Sequence, residues 1–119
     1  LFILVFLDNS FIATKVIREE KSIITARRER IYQIINESRK PIHKSFAVIG
    51  HENESFKTHI DAMNGALHFN FPTMNGYTSS CPSDHCQFYT KNDLESLNIW
   101  IKANSIDPKT VLIIDKNLN

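Results

Sequence analysis

Glycine is scarce in this chain: three residues among 119, at Gly50, Gly65 and Gly76. Neither a P-loop nor a dinucleotide fingerprint can be built from them, because both need clustered glycines whose backbone cradles phosphate. No G-x-S-x-G nucleophile elbow occurs either. The acidic residues are scattered, so no carboxylate pair for glycoside chemistry can be named. Charge of one sign is also missing. Fourteen Lys/Arg face 13 Asp/Glu, a formal net charge of +1, which exerts no general pull toward nucleic acid or anionic lipid. The longest apolar run, Leu1 to Leu7, falls well short of the about 20 residues a spanning helix needs.

What is present suits one small α/β domain. Apolar residues are 42% and charged residues 23%, enough for a single core and too apolar for disorder throughout. The charge is unevenly spread: residues 14–44 hold nine Lys/Arg against four Glu, and residues 45–119 hold five against eight Asp/Glu. A basic segment therefore precedes a mildly acidic one, and its plain reading is a solvated helix face. Its one aromatic is Tyr32, too few for the base-stacking platform of a single-strand binder, so no nucleic-acid partner is expected.

The opening run Leu1-Phe2-Ile3-Leu4-Val5-Phe6-Leu7 lacks the basic lead and small-residue cleavage site of a signal peptide. It reads as the last turns of a truncated membrane helix or as a buried strand. The expected division is residues 1–9 as the end of a truncated transmembrane helix, 10–40 as an amphipathic helical connector, and 41–119 as a small α/β domain.

From Asp8 to Arg39 apolar residues recur at helical spacing, among them Ile12, Val16, Ile24, Ile31 and Ile35. Pro41 ends that helix, since the residue before proline is pushed out of the helical region. Ser45 to Ile49 reads as a buried strand stopped by Gly50. Ser55 to Leu67 reads as a helix whose buried face carries Phe56, Ile60, Met63 and Ala66/Leu67. His68 to Phe71 alternates like a strand and stops at Pro72. Thr73 to Tyr89 reads as a long loop, a length often functional or stapled. Asn92 and Glu95 form a capping box for a helix that buries Leu94, Leu97, Trp100 and Ile101. Thr110 to Ile114 is a last apolar strand, stopped by Asp115.

Strand, helix, strand, helix, strand implies a short, mainly parallel sheet with right-handed crossovers, in two or three layers, with the long N-terminal helix over one face. Ligands of such sheets sit beyond the carboxyl ends of the strands. That edge would collect His51, Thr73, Asn75, Gly76, Tyr77 and Asp115, the candidate ligand-binding residues; His51 has the chemistry of a general base or of a plain turn histidine. Asn75-Gly76 signals a turn, with Gly76 free to take positive φ, and Tyr77 offers an apolar face and a hydroxyl. Cys81 and Cys86, in Cys-Pro-Ser-Asp-His-Cys, read as a disulfide in an oxidising compartment. Free thiols and a metal site with His85 and Asp84 are the alternatives; a structural zinc usually needs a second ligand pair, and the sequence has none. No cofactor or metal is expected.

The run Pro72-Thr73-Met74-Asn75-Gly76-Tyr77-Thr78, followed by Pro82, resembles the P-T-x-N-G-Y-S run in C-terminal soluble domains of bacterial polytopic membrane proteins similar to multi-span glycosyltransferases that use lipid-linked sugars. Asp61-Ala62-Met63 one helix earlier and Trp100 in a later helix extend the likeness over Ser45 to Asp115. Thr78 stands for the serine, Ser79 for a glycine, and Cys81 and Cys86 are additions. The resemblance implies an accessory, non-catalytic extracytoplasmic domain, with catalytic residues in membrane-proximal loops outside this chain. Its partners would be the remainder of its own membrane-embedded chain and a lipid-linked sugar or glycan. Lys15, Arg18, Lys21, Arg27 and Arg28 argue for the cytoplasmic side by the positive-inside rule, although long domains translocate largely regardless of charge. The alternative is an independent small α/β enzyme or ligand-binding module with its site at the strand edge.

Overall fold

The computed structural model describes residues 21–50, 55–76 and 83–117. Among them are four α-helices and a two-stranded parallel sheet: α1 (Lys21–Ser38), β1 (Ser45–Ile49), α2 (Ser55–Phe69), α3 (Ser83–Lys91), α4 (Leu94–Ala103), a single 3-10 turn (Pro108–Thr110) and β2 (Val111–Asp115). The domain is thus mixed α/β. The opening residues 1–20, and with them the expected membrane helix, lie outside the described residues. No helix among the described residues is long and apolar enough to cross a membrane.

β1 and β2 pair in parallel from Ser45↔Val111 to Ile49↔Asp115. Both strands are almost continuously apolar because helices cover both sheet faces. Phe46, Val48, Leu112 and Ile114 point to one face and meet Ile31 and Ile35 of α1, Ala62 of α2 and Phe71. Ala47, Ile49 and Val111 point to the other and meet Phe88 of α3 with Leu97 and Ile101 of α4. Each buried Val, Leu, Ile or Phe among them contributes about 1.5–3 kcal/mol by leaving water.

The third strand is displaced from its expected place. His68 and Phe69 continue α2, which ends in a Schellman-type cap. Asn70 takes φ 47°, and the Phe71 N–H reaches back to the Ala66 carbonyl at 3.1 Å. Local helix closure thus overrides the apolar alternation of 68–71. The strand role passes to the next residues. Phe46 N–H donates to Pro72 O (3.0 Å), Met74 N–H donates to Phe46 O (2.8 Å), and Phe46↔Thr73 forms one parallel bridge. Proline is tolerated there because this is the outer edge of the sheet.

Three more expectations are corrected. Residues 83–91, expected within a loop, form α3, and its Phe88 is fully buried. The cap of α4 is Asp93, not Asn92: the Asp93 carboxylate accepts from Ser96 N–H at 2.8 Å, and the Ser96 hydroxyl completes the box. Leu94, expected inside, is exposed.

The largest correction concerns α2. Phe56, Ile60, Met63 and Leu67 form one line at helical spacing, yet they face outward, with Leu67 83% exposed. The opposite face, carrying Thr58, His59, Asp61 and Ala62, is buried. Polar side chains can occupy that face because each has a partner waiting. The Arg27 guanidinium of α1 grips the Asp61 carboxylate through Nε and, at 3.2 Å, through Nη2. Arg28 Nε stands 3.7 Å from the same carboxylate. Tyr32 stacks on His68 at 4.5 Å, and the Arg39 guanidinium lies 3.9 Å over the Phe71 ring. These contacts advance together along both helices, so α1 and α2 run side by side in the same direction.

Candidate functional site

The segment after α2 is built onto β1 side chain by side chain. Asn75 uses its amide as a strand would use its backbone: Oδ1 accepts from Val48 N–H at 2.8 Å and Nδ2 donates to Val48 O at 2.9 Å. Those two partners fix which amide atom is which. Thr73 Oγ1 donates to Phe46 O (3.1 Å) and accepts from Asn75 N–H (3.2 Å). Both residues direct their hydrogen-bonding atoms into the domain, and Asn75 is buried.

His59 of α2 closes the turn from behind. Its Nδ1 accepts from Gly76 N–H at 3.3 Å and faces Asn75 Nδ2 at 3.2 Å. Both neighbours are donors, so the neutral ring carries its proton on Nε2. Nε2 has no hydrogen-bond partner of good geometry, although the Tyr89 and Phe88 backbones lie near enough to favour a proton there. Burial, and then the neighbouring His85, lower the His59 pKa from 6.5 to about 4. The His85 pKa is lowered too, chiefly by burial. Around the pair stand Tyr89 (5.0 Å from the His59 ring), Phe88 (5.2 Å) and Trp100 (4.9 Å from His85). The buried His59 ring clamps the segment after α2 through Nδ1.

Gly76 is half-buried, and a Cβ there would meet His85 Cε1 at 3.4 Å. No described glycine has positive φ; Asn70, Asn92 and Ser105 do. The expected positive φ at Gly76 is therefore corrected: Gly76 serves through its N–H, which donates to His59 Nδ1. Asp115 ends β2 half-buried and accepts from Asn117 N–H at 2.9 Å. His51 and Tyr77 lie outside the described residues. Cys86 is disulfide-bonded; Cys81, the only other cysteine in the chain, lies outside them too. Among the described residues no three His, Cys, Asp or Glu side chains gather as metal ligands would.

At the carboxyl end of β1 a second asparagine converges on the same carbonyl. Asn92 Nδ2 donates to Val48 O at 3.1 Å, and Gly50 N–H donates to Asn92 O at 3.2 Å. Asn92 sits at φ 50°, and its N–H caps α3 by reaching Phe88 O at 2.9 Å. Thr58 is buried beside Gly50, where a Cβ would come within 2.9 Å of Thr58 Oγ1. Sequence reasoning missed His59 and the Arg27–Asp61 pair, and it read Asn92 as a helix cap where its amide instead reaches Val48 O. The one available signal was polar residues interrupting α2 on the face opposite its apolar stripe.

No family model matches the chain, and neither a curated protein nor a solved structure does.

Proposed function

We propose that the chain is the accessory extracytoplasmic domain of a multi-pass membrane protein, performs no reaction itself, and rests against the membrane-embedded remainder of its own chain. The observation that carries this reading is the outward apolar line Phe56, Ile60, Met63 and Leu67 on α2. Contiguous exposed apolar surface of this kind marks an interaction site. Its occupant is suggested by the chain's own layout. Because α1 and α2 run in the same direction, Leu1 to Leu7 leads into the end of α1 that lies beside the Phe56 end of α2. Residues 8–20 between them reach at most about 45 Å, which bounds how far the stripe can lie from whatever the apolar run is anchored in.

Two further observations support the reading. The disulfide at Cys86 suits an oxidising compartment. The polar atoms of Thr73 and Asn75 are bonded to β1, which makes the Thr73 to Asn75 part of that run an architectural element. The likeness of that run makes the parent glycosyltransferase-like, with a lipid-linked sugar or glycan handled in its membrane part.

The test uses Met63→Cys and Leu67→Cys, placed in this chain alone and in the parent protein in its membrane. A membrane-impermeant thiol reagent should label both positions readily in the isolated chain. In the parent it should label them slowly, and from the extracytoplasmic side. Equal labelling in both settings would reject the docking.

A further inference from the structure

The outer side of β2 carries no strand among the described residues. Phe46 and Val48 of β1 turn their backbone N–H and C=O groups toward Pro72 to Asn75, so Ser45, Ala47 and Ile49 turn theirs toward β2. Lys44 N–H donates to Thr110 O at 2.8 Å, and Lys116 N–H donates to Ile49 O at 2.9 Å. The even-numbered residues of β2 therefore bond β1. The N–H and C=O groups of Val111, Ile113 and Asp115 point to the open edge.

Edge strands are normally blunted by a proline, a bulge or a lysine. β2 contains no proline, its register with β1 runs unbroken, and the residue at its centre is Ile113, 38% exposed. Val111, Ile113 and Asp115 share the α4 face of the sheet. Opposite charges stand at the two ends: Lys109 is exposed just before the strand, and Asp115 is half-buried at its close. Neither enters an ion pair among the described residues. Asp115 accepts from Asn117 N–H, while Lys116 turns to the opposite face, its Nζ 3.4 Å from Thr58 Oγ1.

We propose that β2 pairs antiparallel with the β2 of a second copy of this chain, joining two domains through one continuous sheet. The two-fold axis passes through Leu112. Val111 then faces the partner's Ile113 and exchanges both backbone bonds with it, and the exposed Ile113 is covered in the same way. Lys109 comes opposite the partner's Asp115, and Asp115 opposite the partner's Lys109, which favours the pairing at both ends. Sliding the partner by two residues loses this match: Val111 would face the partner's Asp115, or Asp107 would face it as a like charge. On the opposite face of the sheet, α1 packs on Phe46 and Val48 as well as on Leu112 and Ile114, so its axis lies inward of the edge. Added to the about 4.8 Å between paired strands, that offset lets the two α1 helices lie side by side. The contact does not use the α2 stripe, so it stands or falls without the docking proposed above.

The experiment is sedimentation equilibrium of the whole 119-residue chain, repeated with Leu67→Lys to keep the α2 stripe out of any contact. Both should form dimers with a dissociation constant below about 1 mM. Ile113→Lys should weaken the dimer at least about tenfold, with the circular dichroism spectrum unchanged. Ile113→Pro should do the same, because the N–H it removes points outward and serves no bond within the domain. Lys109→Glu and Asp115→Lys should each weaken association several-fold. Mixed together, these two variants should associate again as heterodimers, since every facing pair is then of opposite charge. The proposal is overturned if the chain stays monomeric at about 1 mM, if Leu67→Lys abolishes the dimer, if folded Ile113→Lys dimerises like the unaltered chain, or if mixing the charge variants restores nothing.

Discussion

Asn75 holds Val48 by both of that residue's backbone polar atoms, at 2.8 and 2.9 Å, from 27 positions away in the chain. The side chain continues a sheet edge that the backbone begins at Phe46↔Thr73. Asn75→Ala should therefore destabilise the domain by about 2–3 kcal/mol, since it strands a buried N–H as well as losing two bonds. Asn75→Asp should cost at least as much, because a carboxylate cannot donate to Val48 O. Urea unfolding followed by tryptophan fluorescence measures both. A loss below about 0.5 kcal/mol for Asn75→Ala would show that water replaces the amide at the edge.

His59 makes stability depend on acid. Its pKa is 6.5 when exposed and about 4 in the folded domain, so the unfolded chain binds the extra proton between those values. Stability is then full above pH 6.5 and falls as pH drops toward 4, by about 3 kcal/mol in all. The lowered pKa of His85 acts in the same direction. His59→Gln, whose amide oxygen can still accept from Gly76, should flatten most of that slope. Denaturation midpoints between pH 4 and 7 for both proteins decide it; parallel slopes would place the acid sensitivity elsewhere.

The glycines give opposite expectations. Gly65 lies within α2, and a Cβ there would sit 3.5 Å from Ile35 Cδ1 and Phe46 Cζ, ordinary contact. Gly65→Ala should raise stability by about 0.5–1 kcal/mol through helix propensity. At Gly50 the Cβ would meet Thr58 Oγ1 at 2.9 Å and Lys116 Cδ at 3.2 Å, so Gly50→Ala should cost about 1–3 kcal/mol. Thermal unfolding of the two variants should shift in opposite directions.

Leu67→Lys should change the stability of this chain by no more than about 0.5 kcal/mol, as expected at an exposed position without partners. A loss of several kcal/mol would mean that the apolar face of α2 packs inward after all.

The two strands and the stripe of α4 at Leu97 and Ile101 were legible because continuous apolar runs and a 3.6 period report burial directly. The helix α2 was legible as a helix and misread as a surface. Its burial is decided by Arg27 on α1 and by Gly76 after the turn, partners that no local window contains. The helix α3 was hidden by Ser83, Asp84 and Cys86, which resemble a loop until Phe88 finds the core. The expected turn at Asn75 to Tyr77 runs out of the described residues at Tyr77, and its first part is an edge bridge from Thr73 to Phe46. The inward direction of its polar atoms follows from the geometry of Val48 and could not be read from spacing.

The carbonyl of Val48 takes one amide from the segment after α2 and another from the junction of α3 and α4. A single backbone oxygen thus ties three stretches of chain that are remote in sequence. Neither asparagine can withdraw without disturbing the register of β1, so these stretches open as one cooperative unit. Protection of the Val48 amide against hydrogen exchange becomes a gauge of global unfolding.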